Sequence, residues 1–174
     1  MRVDRTFAFV DLCGFTAFTD LQGDDESVAL LSRFRSTVRA VCSDFGVRVA
    51  KWVGDGAMFV GVDGRQLIGA VLELHRQSAI IGLPLDLHSG IARGAVILFE
   101  GDDYTGWAVN LAARLCDMAE ASQIWCTEDV AEMAPDWATA TPVGSRHVAG
   151  IANPVAVVNL AITAEREPEP APSA

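Results

Sequence analysis

Residues 47 to 62, VRVAKWVGDGAMFVGV, decide the fold: two apolar runs, Val47 to Val53 and Ala57 to Val62, meet at Gly54-Asp55-Gly56. The glycines permit the positive φ angles of a tight hairpin turn, so Asp55 is expected at a hairpin tip. Upstream, TFAFVDL (residues 6 to 12) is an apolar run with Asp11 as its only charge, the pattern of a strand buried on both faces. Between them, Val28, Leu31, Phe34, Val38, Val41 and Phe45 recur every three or four positions and predict an amphipathic helix over about 24–45. Downstream, Leu67, Ile68, Val71, Leu72 and Leu74 predict a second helix over about 64–80. Strands follow at 85–92 and 95–99, then a turn at 100–103, a helix over about 106–119, short elements through 124–133 and a last strand at 154–160.

The order strand, helix, strand, strand, helix, strand is the ferredoxin-like βαββαβ layout. It predicts an α+β domain, a sheet with helices on one face, plus C-terminal additions. The domain is expected to span residues 1–162. Residues 163–174, ending EREPEPAPSA, lack apolar anchors and are expected to form a disordered tail.

Composition narrows the function. The 174-residue chain is 51% hydrophobic and 21% charged, a globular balance, and its net charge is −10. Thirteen scattered Lys and Arg do not make a nucleic-acid surface, which needs clustered cations, so no nucleic acid polymer is expected as a partner. An acidic chain still binds a single nucleotide where divalent cations neutralise the phosphates. The cysteines Cys13, Cys42, Cys116 and Cys126 stand apart, with no CxxC pair and no histidine at zinc-ligand spacing, and read as reduced thiols. No run approaches the roughly 20 apolar residues that span a bilayer, so neither membrane nor export is expected and the location expected is cytoplasmic.

Asp11 and Asp55 occupy positions that core packing would not choose. The layout makes the end of the first strand and the tip of the neighbouring hairpin adjacent, and two carboxylates at close range repel unless a shared proton or a cation relieves them. Each also has an ordinary explanation, Asp11 capping the next turn and Asp55 satisfying an Asp-Gly hairpin. A third cluster, DYTGWAVNLAAR (Asp103 to Arg114), sets Asn110 and Arg114 four apart, on one helix face. A guanidinium fork suits a phosphate gaining charge, and an amide can orient a sugar. The plain alternative is a surface ion pair for Arg114 and an exposed amide at Asn110.

Taken together, FVDLCGFT (Phe9 to Thr16), KWVGDGAMF (Lys51 to Phe59) and DYTGWAVNLAARL (Asp103 to Leu115) resemble, in order and internal spacing, three motifs of the class III nucleotidyl cyclases. The resemblance runs from about Thr6 to Leu160. It implies that Asp11 and Asp55 bind two divalent cations, Mg²⁺ or Mn²⁺, that Lys51 and Asp103 read the base, that Asn110 orients the ribose and that Arg114 meets the transition-state phosphate. A lysine only donates and a carboxylate only accepts, which matches adenine N1 and the N6 amine, and guanylyl cyclases of the family carry a Glu and a smaller polar residue at these two places. ATP is therefore the expected substrate, cyclic AMP and pyrophosphate the products, and a guanylyl or relaxed-specificity cyclase or a silent nucleotide-binding module the alternatives. The family also implies a head-to-tail homodimer with each site shared between subunits.

The resemblance breaks near the C-terminus. The family often has an Arg followed by Leu-Lys-Gly, whose lysine contacts the triphosphate, and here RHVAG (Arg146 to Gly150) puts Ala149 at the lysine position. Arg146 and Arg93 are the candidate substitutes for that contact.

Overall fold

A computed structural model describes residues 1–101 and 103–163. The central hairpin is as expected: β2 (Arg48–Val53) and β3 (Gly56–Gly61) pair antiparallel, and Gly54 takes φ 57° in the turn. β3 lies beside β1 (Arg2–Leu12), with Val10 opposite Ala57, and β1 pairs along its whole length with β4 (Leu87–Phe99). The described strands form one sheet in the order β2-β3-β1-β4-β6-β8-β7, where β6 is Ile124–Thr127, β7 Ala138–Arg146 and β8 Val155–Ile162. A short β5 (Asp103–Thr105) folds back antiparallel onto the end of β4.

Helices cover both faces of this sheet, and not one as the element order suggests. Successive residues of β1 point to opposite sides. Ala8, Val10 and Leu12 join a core with α2 (Asp24–Asp44) and α3 (Gly64–Ile80), whereas Phe7 joins a second core with α4 (Trp107–Met118). Two covered faces explain why residues 6–12 are apolar without alternation. α4 settles closely on β4 because Gly90 has no side chain: a Cβ there would run into the backbone of Ala112 and Cys116.

Several boundaries differ from expectation for identifiable reasons. The runs 85–92 and 95–99 are one strand, since Arg93 and Gly94 continue the ladder opposite Thr6 and Arg5. Position Val28 is 62% exposed, and the buried stripe of α2 is Leu30, Phe34, Val38, Val41 and Cys42. An additional helix, α1 (Phe15–Gln22), buries no residue and so leaves no hydrophobic stripe to read. α3 begins where Asp63 accepts hydrogen bonds from the Arg65 and Gln66 amides at 2.9 and 3.3 Å, an N-cap at the expected boundary. The thiols of Cys42, Cys116 and Cys126 are free and buried, and Cys13 is half-buried. Thr163 still donates from its amide to the Trp137 carbonyl at 2.9 Å, and the rest of the expected tail lies outside the described residues. No helix among the described residues is long and apolar enough to cross a membrane.

Candidate active site

Asp11 closes β1 on the α4 side of the sheet, the side to which Phe7 also points. The β2–β3 turn brings Asp55 against it, and the approach depends on Gly56, where a Cβ would stand 2.5 Å from the Val10 carbonyl oxygen and 2.6 Å from Asp11 Oδ1. Burial, then the charge and hydrogen bond of Asp55, push the Asp11 carboxyl up to about 6, against smaller opposing pulls from His88 and the Leu12 amide. Two carboxyls that must share a proton to lie together are equally a place for a hard cation with oxygen ligands. The donor set fits Mg²⁺ or Mn²⁺. Among the described residues no group of three or more His, Cys, Asp or Glu forms a complete protein cage. Two carboxylates with open positions suit a cation that also takes oxygens from a phosphorylated substrate.

His88 was not singled out by the sequence, yet it faces this pair. β1–β4 pairing sets it opposite Asp11, and its Nε2 lies 4.0 Å from Asp11 Oδ2. Its Nδ1 is 2.7 Å from the Cys116 carbonyl, which only accepts, so Nδ1 carries the hydrogen. Cys116 Sγ returns a contact of 3.5 Å to the His88 carbonyl. The carboxylate end of β1 and the last turn of α4 are thereby clasped through one imidazole. The only readable signal for this role was the register of β4 against β1.

Lys51 and Asp103 come together although sequence separates them widely. The β4–β5 hairpin folds over the α4 side of the sheet, setting Tyr104 edge-on against Phe7 with ring centroids 5.3 Å apart. Asp103 is thereby carried to the edge strand β2, where Lys51 Nζ donates to its Oδ1 at 2.6 Å. The lysine hydrogen bond, then the Tyr104 amide, hold Asp103 below the usual carboxylate range. Both side chains are about half exposed, at 45% and 48%, so solvent and an incoming ligand reach them.

Asn110 and Arg114 project from the exposed side of α4, as the four-residue spacing requires. They line a cleft of about 560 Å³ whose opposite wall is Ala149, Gly150 and Ile151. The position where the family's lysine is missing thus faces Arg114 across this cleft. Asp11 lines a separate hollow of about 150 Å³ with Val53, Gly56, Cys116 and Asp117, and Ala113 borders both. Arg114 Nη1 lies 3.6 Å from Asp117, an exposed pair whose partners are free to exchange.

The two candidate substitutes fare differently. Arg93 is placed away from the cleft: its guanidinium is tied to Asp4 Oδ2 at 2.8 and 3.2 Å and touches Met133 Sδ at 3.1 Å, five positions along β4 from His88. Arg146 ends β7 with its guanidinium 6.0 Å from the ring centre of Trp125, and it does not line the cleft.

No family model matches the chain. An uncharacterised protein of Mycobacterium tuberculosis is 35% identical over 129 residues, which is 74% of this chain and 34% of that protein. The chain therefore spans about a third of the length of the curated relatives it matches. Among solved structures, the adenylyl cyclase CyaB from P. aeruginosa superposes with TM-score 0.77 at 25% identity, covering 95% of this chain and 97% of that one. The guanylate cyclase domain of RhGC from Catenaria anguillulae, solved with GTP, superposes with TM-score 0.82 at 17% identity, covering 94% and 99%.

Proposed function

Because the chain has the catalytic-domain fold of the class III nucleotidyl cyclases, we propose that it is an adenylyl cyclase, converting ATP into 3′,5′-cyclic AMP and pyrophosphate at a site shared between two subunits. The observation that carries this reading is the Asp11–Asp55 pair, a strand carboxyl and a hairpin-turn carboxyl held together at the cost of a raised Asp11 pKa. A packing role leaves that cost unexplained, and cation binding offsets it.

In the reaction the ribose 3′ oxygen bonds to the α-phosphorus as the bond to the pyrophosphate oxygen breaks, and the hydroxyl proton departs to solvent. Positioning and electrostatics supply most of such a rate. Asp11 and Asp55 would hold two divalent cations, whose chemistry is to acidify the 3′-hydroxyl and to neutralise the leaving triphosphate oxygens. Asn110 fixes the ribose by hydrogen bonding. Arg114 exchanges its exposed pair with Asp117 for the α-phosphate as charge grows there, and removing a group in this role costs about a hundredfold to a thousandfold in rate. Lys51 donates to adenine N1 and Asp103 accepts from the N6 amine, each giving up the other as partner. Ala149 contributes no charge to the triphosphate, and with Arg93 tied to Asp4, Arg146 is the candidate left to replace it.

The solved likenesses include adenylyl and guanylyl cyclases, so the base is the point to test. Purified protein supplied with Mn²⁺ and either ATP or GTP is expected to release pyrophosphate faster from ATP. Lys51→Glu combined with Asp103→Ser is expected to reverse the preference. Faster cyclic GMP formation by the unaltered chain overturns the assignment of Lys51 and Asp103. ATP binding without pyrophosphate release, under the same conditions, identifies a silent nucleotide-binding module instead.

A further inference from the structure

The turn that carries Asp55 receives little support from the sheet. β2 is an edge strand, hydrogen-bonded on one side to β3, and Val53 opposite Gly56 is the last pair of that ladder. Gly54 and Asp55 lie beyond it. Gly54 is exposed, takes φ 57°, and a Cβ there would meet nothing within 4 Å. The glycines that allow this turn also leave the chain many other conformations. Asp55 nevertheless has to be held against Asp11, a group of like charge.

Support comes from α2, on the face of the sheet opposite Asp11. Trp52, two residues before Gly54, points to that face and packs on the core that α2 shares. Arg35 and Arg39 are four residues apart on α2 and so project on the same side. Both guanidiniums lie over the Trp52 ring, 4.8 and 5.2 Å from its centre. A cation over a ring face is attracted by the ring quadrupole, and the indole is the best such partner. Like charges at this spacing destabilise an isolated helix, so the pair is not explained by α2 itself. Arg35 reaches further than the ring: its Nη2 donates to the Gly54 carbonyl at 3.4 Å, a long hydrogen bond. One guanidinium thus holds β2 through its indole and the turn through its backbone. Arg33 of the same helix offers a contrast, since its Nη2 donates to the Ile81 carbonyl at 2.7 Å and ties α2 to the end of α3.

We propose that Arg35 is a positioning residue of the candidate active site, bracing the turn through Trp52 and the Gly54 carbonyl so that Asp55 stays opposed to Asp11. The brace stands on these contacts, and its consequence for cation binding rests on the cyclase reading. Arg35 touches neither substrate nor cation in this role. A planar guanidinium lies flat on an indole and still directs an N–H sideways at a carbonyl, which a lysine ammonium does only in part. Holding two carboxylates at a cation's spacing before the cation arrives raises affinity without adding a ligand.

The full chain, metal-free and then titrated with Mn²⁺, tests both parts. In Arg35→Ala, backbone order parameters from NMR relaxation are expected to fall at Gly54 and Asp55 towards flexible values, below about 0.6. Mn²⁺ affinity by calorimetry is expected to drop about fivefold to thirtyfold, the worth of one cation–π contact and one charged hydrogen bond. Arg35→Lys, which keeps a charge over the ring, is expected to recover part of both. Arg33→Ala, which loses a contact between α2 and α3, is expected to leave both readings unchanged even where it lowers Tm. Unchanged order parameters at Gly54 and Asp55 in folded Arg35→Ala overturn the brace. A loosened turn with undiminished Mn²⁺ affinity overturns its role at the cation site, and an equal fall in Arg33→Ala assigns the effect to α2 as a whole and overturns it too. Should Arg35→Ala not fold, Arg35→Met, whose stem still covers the indole without charge or donor, is read in the same two ways. An unaltered protein that binds no Mn²⁺ and releases no pyrophosphate refutes the cyclase reading, and the order parameters then decide the brace by themselves.

Discussion

Asp11 is a single residue on which proton and cation compete. Its folded pKa lies near 6, above the ordinary carboxylate value of 3.8, so the folded metal-free chain holds that proton more tightly than the unfolded chain does. Raised acids lose stability as pH rises through the folded value, and a cation in the proton's place removes that loss. Binding of Mn²⁺ should thus be independent of pH above about 7 and weaken towards tenfold per unit below about 6, as calorimetric titration of the unaltered protein would record. Asp55→Asn removes the charge that, after burial, raises Asp11 most, and is expected to lower its pKa while abolishing Mn²⁺ binding. Retained affinity in Asp55→Asn would show that the pair is not the cation site. His75 titrates with the opposite sign. Its folded pKa is depressed from 6.5 to about 3, so the stability it gives is complete above 6.5 and drains away as pH falls towards 3. A thermal melt of metal-free protein between pH 4 and 6 therefore reports two opposed residues, and His75→Gln separates them.

At the scale of elements, α4 carries Asn110 and Arg114 and is seated on β4 by one missing side chain. Gly90→Ala would force the backbone at Ala112 and Cys116 away from the strand, and neither can rotate aside as a side chain would. Loss of α4 packing should cost about 1–3 kcal/mol, the usual range for overpacking, and displace Arg114 and the His88–Cys116 clasp together. The expected signature is a lower Tm with a larger fall in kcat than in ATP affinity. An unchanged melt would mean that α4 does not rest on Gly90.

The helices α2, α3 and α4 were legible because each buries a periodic stripe, and the β2–β3 hairpin was legible from its two glycines. Less was readable where tertiary pairing, and not local pattern, creates the element. β7, ATATPVGSR, is mostly exposed and interrupted by Pro142 and Gly144, and it owes its strand character to β8 beside it, with a register shift between those two residues. β5 has three residues and exists because β4 turns back on itself. The second helical layer was hidden because β1 reads as buried on both faces without saying what covers each face. The same limit applies to the site. Residue type and spacing marked Asp11, Asp55, Asn110 and Arg114, and the resemblance added Lys51 and Asp103, whereas His88 enters through strand register and Arg93 leaves through its ion pair with Asp4.

At the scale of the whole molecule, the two halves of the candidate site lie apart within one chain. Asp11 lines one hollow and Asn110 with Arg114 another, with Ala113 between them. Arg114 points outward and is occupied by Asp117. One subunit thus offers a cation end and, separately, a ribose and phosphate end, each facing solvent. A head-to-tail pair related by a two-fold axis would bring the cation end of each subunit to the other end of its partner, giving two equivalent sites. Arg114→Ala and Asp11→Ala should each be inactive alone, since every site in either homodimer lacks one group. Mixed and allowed to exchange, they form a hybrid in which one site carries both lesions and the other carries neither. With random pairing about half the dimers are hybrids and each has one intact site, so activity approaching a quarter of the unaltered protein is expected on mixing. Were Asp11 and Arg114 to act within one chain, no hybrid would hold an intact site and the mixture would stay inactive. Recovery that rises with subunit exchange and saturates near that fraction is therefore specific to the shared arrangement.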